Sequence, residues 1–451
     1  MISDPVVATS PSANPKTLPA VWAAMTTYGN GLVWGRFGGD AAACSTLPGS
    51  PSVCPSGSTS VIYQPPADRV ADRPFLTMDA QSNSHLVFAE SLTSVSNNTG
   101  GRIHYLRINP SGTVTADCVL PRAADSSAPE GFKAIENYPQ YAQVGITSWG
   151  GVVVSWGEFP NPLKVPPADR IDGRRYYIYA TVGYQDGAGT CPISWQAPTE
   201  VATTPLPRIE SWADWGDTSS ISALVGPAGA YAAPRTATMY SVPLVVNTTD
   251  DHCYLAYRTR VSAAEPARLV VVQSADGTSW NHLTTLDTKP SNPGARAYQP
   301  TLATYANLVT AAWYDDRDSP AALPHSRLSV YASRFDVTGS TTFDYAVRVS
   351  RNASVSSETF FPTPPGGNSS PYVIPLTWGG MSFGGVRQNF WGDHISMVIG
   401  VGQFIPGFGW MAWPSQAFIS WTDSSRVTTS DTAQPFIQSQ EIRGSRIDVT
   451  P

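Results

Sequence analysis

Ala311-Ala312-Trp313-Tyr314-Asp315 is a short apolar run that ends in aromatic residues and passes at once into acid. The same shape recurs along the 451 residues as Leu32-Val33-Trp34-Gly35-Arg36, Leu86-Val87-Phe88-Ala89-Glu90, Val154-Ser155-Trp156-Gly157-Glu158, Leu255-Ala256-Tyr257-Arg258 and Ile419-Ser420-Trp421-Thr422-Asp423. A period of two suits a strand whose two faces differ. Four of these runs are followed by a polar loop and a second apolar run that opens with Arg, at Arg102, Arg175, Arg268 and Arg327. Turn-forming residues come next, in Asn109-Pro110-Ser111-Gly112, Gln185-Asp186-Gly187, Ala275-Asp276-Gly277 and Val337-Thr338-Gly339. Each supplies the Gly, Asp or Asn that a tight hairpin needs. Upstream of the aromatic run lies a further short strand with a Pro in it: Asp72-Arg73-Pro74-Phe75-Leu76, Tyr138-Pro139-Gln140-Tyr141, Tyr240-Ser241-Val242-Pro243-Leu244 and Tyr298-Gln299-Pro300-Thr301-Leu302. Each unit thus holds four strands.

A four-stranded antiparallel unit repeated about six times has no way to bury both its faces alone, and radial stacking about an axis solves that with only short exposed edges. The sequence therefore predicts an all-β, six-bladed β-propeller forming a single domain over 1–451. The blades fall near 18–67, 72–125, 137–200, 238–290, 296–350 and 387–449. Residues 201–237 and 351–386 do not fit the repeat and read as long inter-blade insertions, the kind of loop that often carries function.

Composition points the same way. With 37 Gly, 40 Pro and 14% charged residues, long helices are disfavoured, and 11% aromatics favour strands. The 28 Lys+Arg against 34 Asp+Glu give a net charge of −6, which excludes strong attraction to phosphate backbones or anionic lipid, so no nucleic-acid partner is expected. No stretch approaches the roughly 20 apolar residues of a membrane span, and Met1 to Thr17, polar and rich in Pro and Ser, shows no signal-peptide pattern. The five cysteines lack the paired spacing of a structural zinc site and are too few for a disulfide scaffold. Cys44 and Cys54 flank a Pro/Ser/Gly loop and read either as a small disulfide or as two thiols. Four N-x-S/T triplets begin at Asn97, Asn247, Asn352 and Asn368, no more than a Ser/Thr-rich chain produces by chance.

These residues resemble the bacterial sialidase-like propellers, the BNR or Asp-box repeat proteins. Asp72-Arg73-Pro74-Phe75-Leu76-Thr77-Met78-Asp79 looks like that family's blade opening, Tyr298 to Asp318 looks like its QP-x-L-A … A-W-Y-D-D-R stretch, and Trp391-Gly392-Asp393 followed by Ser420-Trp421-Thr422-Asp423 looks like its final blade. Ser274-Ala275-Asp276-Gly277-Thr278-Ser279-Trp280 is similar to a single Asp box, shortened by one residue. The resemblance implies a secreted or cell-surface protein acting on glycans. In such sialidases arginines hold a substrate carboxylate, a Tyr activated by a Glu is the nucleophile and an Asp is the acid/base. Under a retaining-glycosidase reading, placement around the mouth of the propeller gives Arg73, Arg296 and Arg387 to an anionic sugar, Tyr298 as the nucleophile and Asp393 or Asp72 as the acid/base. The alternatives are a non-catalytic propeller binding a glycan or a glycoprotein, and a structural component of an extracellular assembly.

Topology places the blade entries and the strand-two exits on one face, so Glu90, Glu158, Arg258, Asp315 and Asp316 are expected around the same mouth. The repeated aromatics, by contrast, read as interblade core, and the repeated Arg102, Arg175, Arg268 and Arg327 as structural ion-pair partners. The dense run Tyr314-Asp315-Asp316-Arg317-Asp318 reads as a self-paired loop, with Ca2+ the alternative; no cofactor is expected. The Trp-Gly-Asp echo at Trp215 and Trp391 makes Asp217 and Asp393 either site residues or turn caps.

Overall fold

The computed structural model describes residues 2–9, 20–26, 31–37, 56–92, 101–122, 138–159, 175–186, 189–205, 242–247, 249–259, 268–286, 297–305, 307–318, 327–338, 346–350, 354–355, 376–378, 381–383, 395–399, 402–405, 409–412, 416–423 and 441–448. All regular structure among them is β-strand. The first sheet contains β1 (Ile2–Thr9), β2 (Ala20–Thr26), β3 (Leu32–Phe37) and β4 (Ser56–Tyr63), and the second β5 (Arg69–Met78), β6 (Ser84–Leu92), β7 (Arg102–Ile108) and β8 (Val114–Val119). The third contains β9 (Tyr138–Ile146), β10 (Val152–Phe159), β11 (Arg175–Tyr184), β12 (Ser194–Trp195) and β13 (Thr199–Pro205), the last two both paired with β11. The fourth is β14 (Leu244–Val246), β15 (Cys253–Thr259), β16 (Arg268–Ser274) and β17 (Asn281–Thr285). The fifth is β18 (Ala297–Tyr305), β19 (Leu308–Asp315) and β20 (Arg327–Asp336), with β21 (Val347–Arg348) and β22 (Ser354–Val355) on β20. Farther on, β23 (Leu376–Trp378) and β24 (Met381–Phe383) form a hairpin. A sixth, three-stranded sheet joins β25 (Ile395–Ile399), β28 (Gln416–Asp423) and β29 (Glu441–Asp448), with a separate hairpin of β26 (Gly402–Ile405) and β27 (Gly409–Ala412) between its first two strands.

Pairing within the first five sheets is antiparallel and, apart from β13 on β11 and β22 on β20, joins sequence neighbours, so each is built on a meander. The first strands lie side by side in chain order: β1 against β5, β5 against β9, β9 against β14, β14 against β18, and β18 against β25. Each neighbouring pair of sheets shares an apolar cluster. Trp34 of the first sheet packs with Leu86 and Phe88 of the second, and Trp156 of the third with Val87 and Tyr105 of the second. Leu255 of the fourth packs with Val153 of the third, Trp313 of the fifth with Tyr254 of the fourth, and Ile419 of the sixth with Tyr298 and Tyr314 of the fifth. All eight residues of β19 are buried, as expected of a strand covered on both faces. Each fully buried Leu, Val or Phe contributes about 1.5–3 kcal/mol over its exposed state.

Trp34, Phe88, Trp156 and Trp313 are buried in these clusters and Tyr257 is half-buried in one, so these five aromatics pack between sheets. The side chain of Trp421 lies outside the described residues. One expectation is corrected: the run Leu32–Arg36 belongs to the third strand of its sheet, not the second, because Ile2–Thr9 pairs with β2 and takes the first place. The sequence hid that strand behind Pro5 and an otherwise polar N-terminal stretch.

The expected turn residues shape the hairpins. Between β7 and β8, Asn109 Oδ1 accepts hydrogen bonds from the backbone N–H groups of Ser111 (3.0 Å) and Thr113 (2.9 Å). Between β16 and β17, Asp276 Oδ1 accepts from Thr278 (2.8 Å) and Ser279 (2.7 Å), and Gly277 has φ +73°. The Asn247 triplet is a turn of this kind too: the side chain is buried and accepts from the N–H of Thr249.

The chain also contains a disulfide that the cysteine spacing did not reveal. Cys118 on β8 joins Cys191, just ahead of β12, across 73 residues. The backbone hydrogen bond from Asp117 N–H to Thr190 O (2.8 Å) brings the two segments together. Cys44 and Cys54 lie outside the described residues. Cys253 is a buried free thiol whose pKa burial, with Asp251, Asp276 and Asp250 nearby, pushes up to about 12.

Candidate functional site

The first strands carry the feature that organises the site. In β5, Asp72 pairs with Ala89 and Phe75 with Val87, which leaves Arg73 and Pro74 together against Phe88. In β9, Gln140 pairs with Gly157 and Gln143 with Ser155, leaving Tyr141 and Ala142 against Trp156. In β18, Tyr298 pairs with Tyr314 and Thr301 with Ala312, leaving Gln299 and Pro300 against Trp313. The extra residue of a bulge bends its strand and re-aims a side chain. In all three the first bulged residue is left-handed, with φ 51° at Arg73, 57° at Tyr141 and 43° at Gln299. Such a backbone is uncommon for residues with a Cβ, and it concentrates at binding and catalytic sites. β1 breaks register at the matching place, between Ser3 and Val6, where Pro5 sits. A proline, lacking an N–H, fits where the ladder is interrupted.

Asp72, Gln140 and Tyr298 therefore share one register position, and Arg73, Tyr141 and Gln299 the next. The second and third sheets are adjacent, and the Arg73 guanidinium lies 4.3 Å from the centre of the Tyr141 ring. Arg73 Nε is also 3.7 Å from Asp72 Oδ2, and its side chain is 22% exposed. Of the residues read from the sequence, the structure thus brings Asp72 and Arg73 together at one bulge. Tyr298 occupies the matching bulge of the fifth sheet, with the third and fourth sheets between them in the row. It is 1% exposed, its hydroxyl donates to Asp316 Oδ2 at 2.8 Å, and the Arg258 guanidinium lies 4.5 Å from its ring centre. Arg258 Nε donates to Ala297 O (2.7 Å), which fixes the guanidinium against the phenol. Arg296, Arg387, Asp393 and Asp217 lie outside the described residues.

The strand-two exits differ from expectation. Glu90 and Glu158 are 0% exposed, and Arg258, Asp315 and Asp316 are buried as well, so these groups do not form a solvent-exposed rim. For Glu90, Glu158 and Asp315 the reason is alternation: a residue two places after the aromatic shares its face, and that face packs on a neighbouring sheet. Trp156 Nε1 donates to Glu158 (2.9 Å) and Trp313 Nε1 to Asp315 (3.2 Å), in the same relation. A guanidinium neutralises each acid: Arg69 (3.1 Å) and Arg102 (2.7 Å) at Glu90, Arg122 (3.2 Å) at Glu158, and Arg317 (2.6 Å) at Asp315. Burial nonetheless pushes the Asp315 carboxyl up, against the hydrogen bonds and charge of Arg317. Asp318 binds Ser329, Tyr331 and Arg348, so the acidic run Asp315–Asp318 is a paired loop.

Glu90 is the most heavily engaged of the acids. Besides the two arginines, it accepts from the Tyr63 hydroxyl and lies 3.3 Å from His104 Nε2. Burial alone would raise its pKa. The hydrogen bonds of His104 and Tyr63, the electrostatic pull of His104 and the Arg102 bond overcome this and hold it at about 2. Arg102 thus has the structural role read from its repetition. Arg268 is exposed, and the side chains of Arg175 and Arg327 lie outside the described residues.

Three of the four Pro-marked entry strands hold these bulges, and Gln140, Tyr141 and Gln299 within them were not among the expected site residues. Counting back from Phe88, Trp156 and Trp313 gives unequal offsets of 15, 15 and 14 residues to Arg73, Tyr141 and Gln299, so the common register emerges only from strand pairing.

No family model matches the chain, and no curated protein does. Among solved structures, it is similar to a protein of unknown function from Dyadobacter fermentans, at 10% identity over 100% of this chain and 95% of that one, with a TM-score of 0.46. It is also similar to Trypanosoma rangeli sialidase (11% identity, 86% of this chain and 48% of that one, TM-score 0.41). A third likeness is to the GH93 alpha-L-arabinofuranosidase of Fusarium graminearum (14%, 85% and 96%, TM-score 0.41). The chain spans about half the length of the sialidase. None of these TM-scores reaches 0.5, so fold and site stand on this chain's own strand order and contacts.

Proposed function

We propose that the six sheets close into a six-bladed, sialidase-like propeller that binds glycans and holds an acidic sugar where the first strands converge. The observation that carries this reading is the pair of left-handed bulges in adjacent sheets, which sets the partly exposed Arg73 guanidinium on the face of Tyr141. A guanidinium offers forked donors to a carboxylate, and a phenol ring offers a flat face to a sugar. In this reading Arg296 and Arg387 complete the anion contact. A disulfide between the second and third sheets favours secretion or surface display, because such bonds persist in oxidising compartments.

Binding without turnover is the primary reading, because Tyr298 is sealed from solvent. Hydrolysis is the second reading, favoured by the 2.8 Å hydrogen bond from Tyr298 to Asp316. In that chemistry the phenol oxygen attacks the anomeric carbon while its proton passes to Asp316. Asp393 or Asp72 protonates the departing glycosidic oxygen, and water then releases the sugar from the tyrosine. The chain covering Tyr298 must first move aside.

Titration calorimetry with sialyllactose and oligogalacturonate, run beside a panel of fluorogenic arylglycosides that includes sialosides, tests both. Binding that falls about 10- to 100-fold in Arg73→Ala, with no fluorophore released, is the expected result. Release that disappears in Tyr298→Phe would establish the second reading. No binding and no release, or binding indifferent to Arg73→Ala, would refute the proposal.

A further inference from the structure

The common register makes one side chain stand out. At the position just before the left-handed residue, the second sheet has Asp72, in an ion pair with Arg73, and the fifth has Tyr298, which donates to Asp316. The third sheet has Gln140 there. It is 5% exposed, and its amide nitrogen is fully enclosed with no hydrogen-bond partner among the described residues. Buried amide donors are almost always paired, because leaving one unpaired forfeits its hydration with nothing in return. This one adjoins Tyr141, whose backbone is left-handed and whose ring faces Arg73.

We infer that Gln140 is a ligand-recognition residue, its amide N–H reserved for an acceptor oxygen, a ring hydroxyl or a carboxylate, of the acidic sugar bound at the first-strand bulges. The inference rests on the reading proposed above and adds a residue to it. It also explains why the three sheets differ here. The second sets a carboxylate beside Arg73 here, the fifth hydrogen-bonds its phenol to Asp316, and the third leaves an amide donor for the ligand, so the site is asymmetric within a repeated frame. A site built to hydrogen-bond a substrate oxygen rejects analogues that lack it, because the buried donor then stays unpaired.

The test compares full-length wild type, Gln140→Met and Gln140→Glu by thermal unfolding and by calorimetric titration with sialyllactose and oligogalacturonate. Methionine matches the length of glutamine without the donor. A ligand role predicts an unchanged or raised Tm for Gln140→Met, since an unpaired polar group is removed, together with affinity at least tenfold weaker. Gln140→Glu sets a carboxylate against a ligand carboxylate and should weaken binding further when that is the partner, whereas a ring hydroxyl would donate to it and bind better than to Gln140→Met. If wild type binds and Gln140→Met binds equally well, the inference fails while the reading of the site stands. If Gln140→Met lowers Tm, the amide is a structural group and the inference fails. If wild type binds neither saccharide, the reading itself fails and takes the inference with it.

Discussion

Gly277 shows how narrowly single positions are set. It has φ +73°, and a Cβ there would lie 2.6 Å from Val182 Cγ2 of the preceding sheet. Gly277→Ala adds left-handed strain to overpacking against a stiff side chain and should cost about 2–4 kcal/mol, read as a lower urea midpoint. An unchanged midpoint would mean that the turn is not packed on Val182. Glu90 makes an electrostatic prediction at the same scale. Its pKa is held at about 2 against an ordinary 4.5. A carboxylate whose folded pKa is depressed stabilises the fold above its unfolded pKa, and that contribution fades as pH falls from about 4.5 towards 2. The shift corresponds to about 3 kcal/mol between pH 7 and pH 2. Glu90→Gln should be less stable at pH 7 by a similar amount and should flatten the loss of stability below pH 5, measured by urea unfolding across that range. An acid dependence identical to wild type would remove Glu90 from this role.

At the scale of strands and sheets, much was legible. The third strands β7, β11, β16 and β20 begin at Arg102, Arg175, Arg268 and Arg327, the residues that the repeat marked. The second strands β6, β10, β15 and β19 coincide with the aromatic runs. Both carry local signals, apolar alternation and turn chemistry, that survive in one dimension. Three features did not. A bulge is a count of two residues against one and exists only once the partner strand is paired, so Arg73, Tyr141 and Gln299 could not be recognised as equivalent from one strand at a time. The inward turn of Glu90, Glu158 and Asp315 follows from which face packs on the neighbouring sheet. The Cys118–Cys191 bridge joins segments that only sheet packing brings together. That bridge fastens the second sheet to the third at their outer strands, the opposite edge from the first strands that carry Arg73 and Tyr141. Reducing it, or replacing both residues by alanine, should lower stability by about 2–4 kcal/mol by freeing the unfolded chain. Calorimetric scans with and without reductant would show this as a drop in Tm, and identical scans would contradict it.

Across the whole molecule, the account requires that first strands far apart in sequence converge on one opening. Their side-by-side order from β1 through β5, β9, β14 and β18 to β25, with an apolar cluster between each pair of sheets, is the physical basis for that claim. A repeated frame of this kind frees individual positions to diverge. Asp72, Gln140 and Tyr298 occupy one register and make three different sets of contacts. The most direct test is a crystal structure of the chain soaked with a sialic-acid mimic. The account predicts sheets closed into a ring and the ligand carboxylate on Arg73, beside Tyr141 and Gln140. Sheets in an open row, or a ligand bound away from the first-strand bulges, would contradict it.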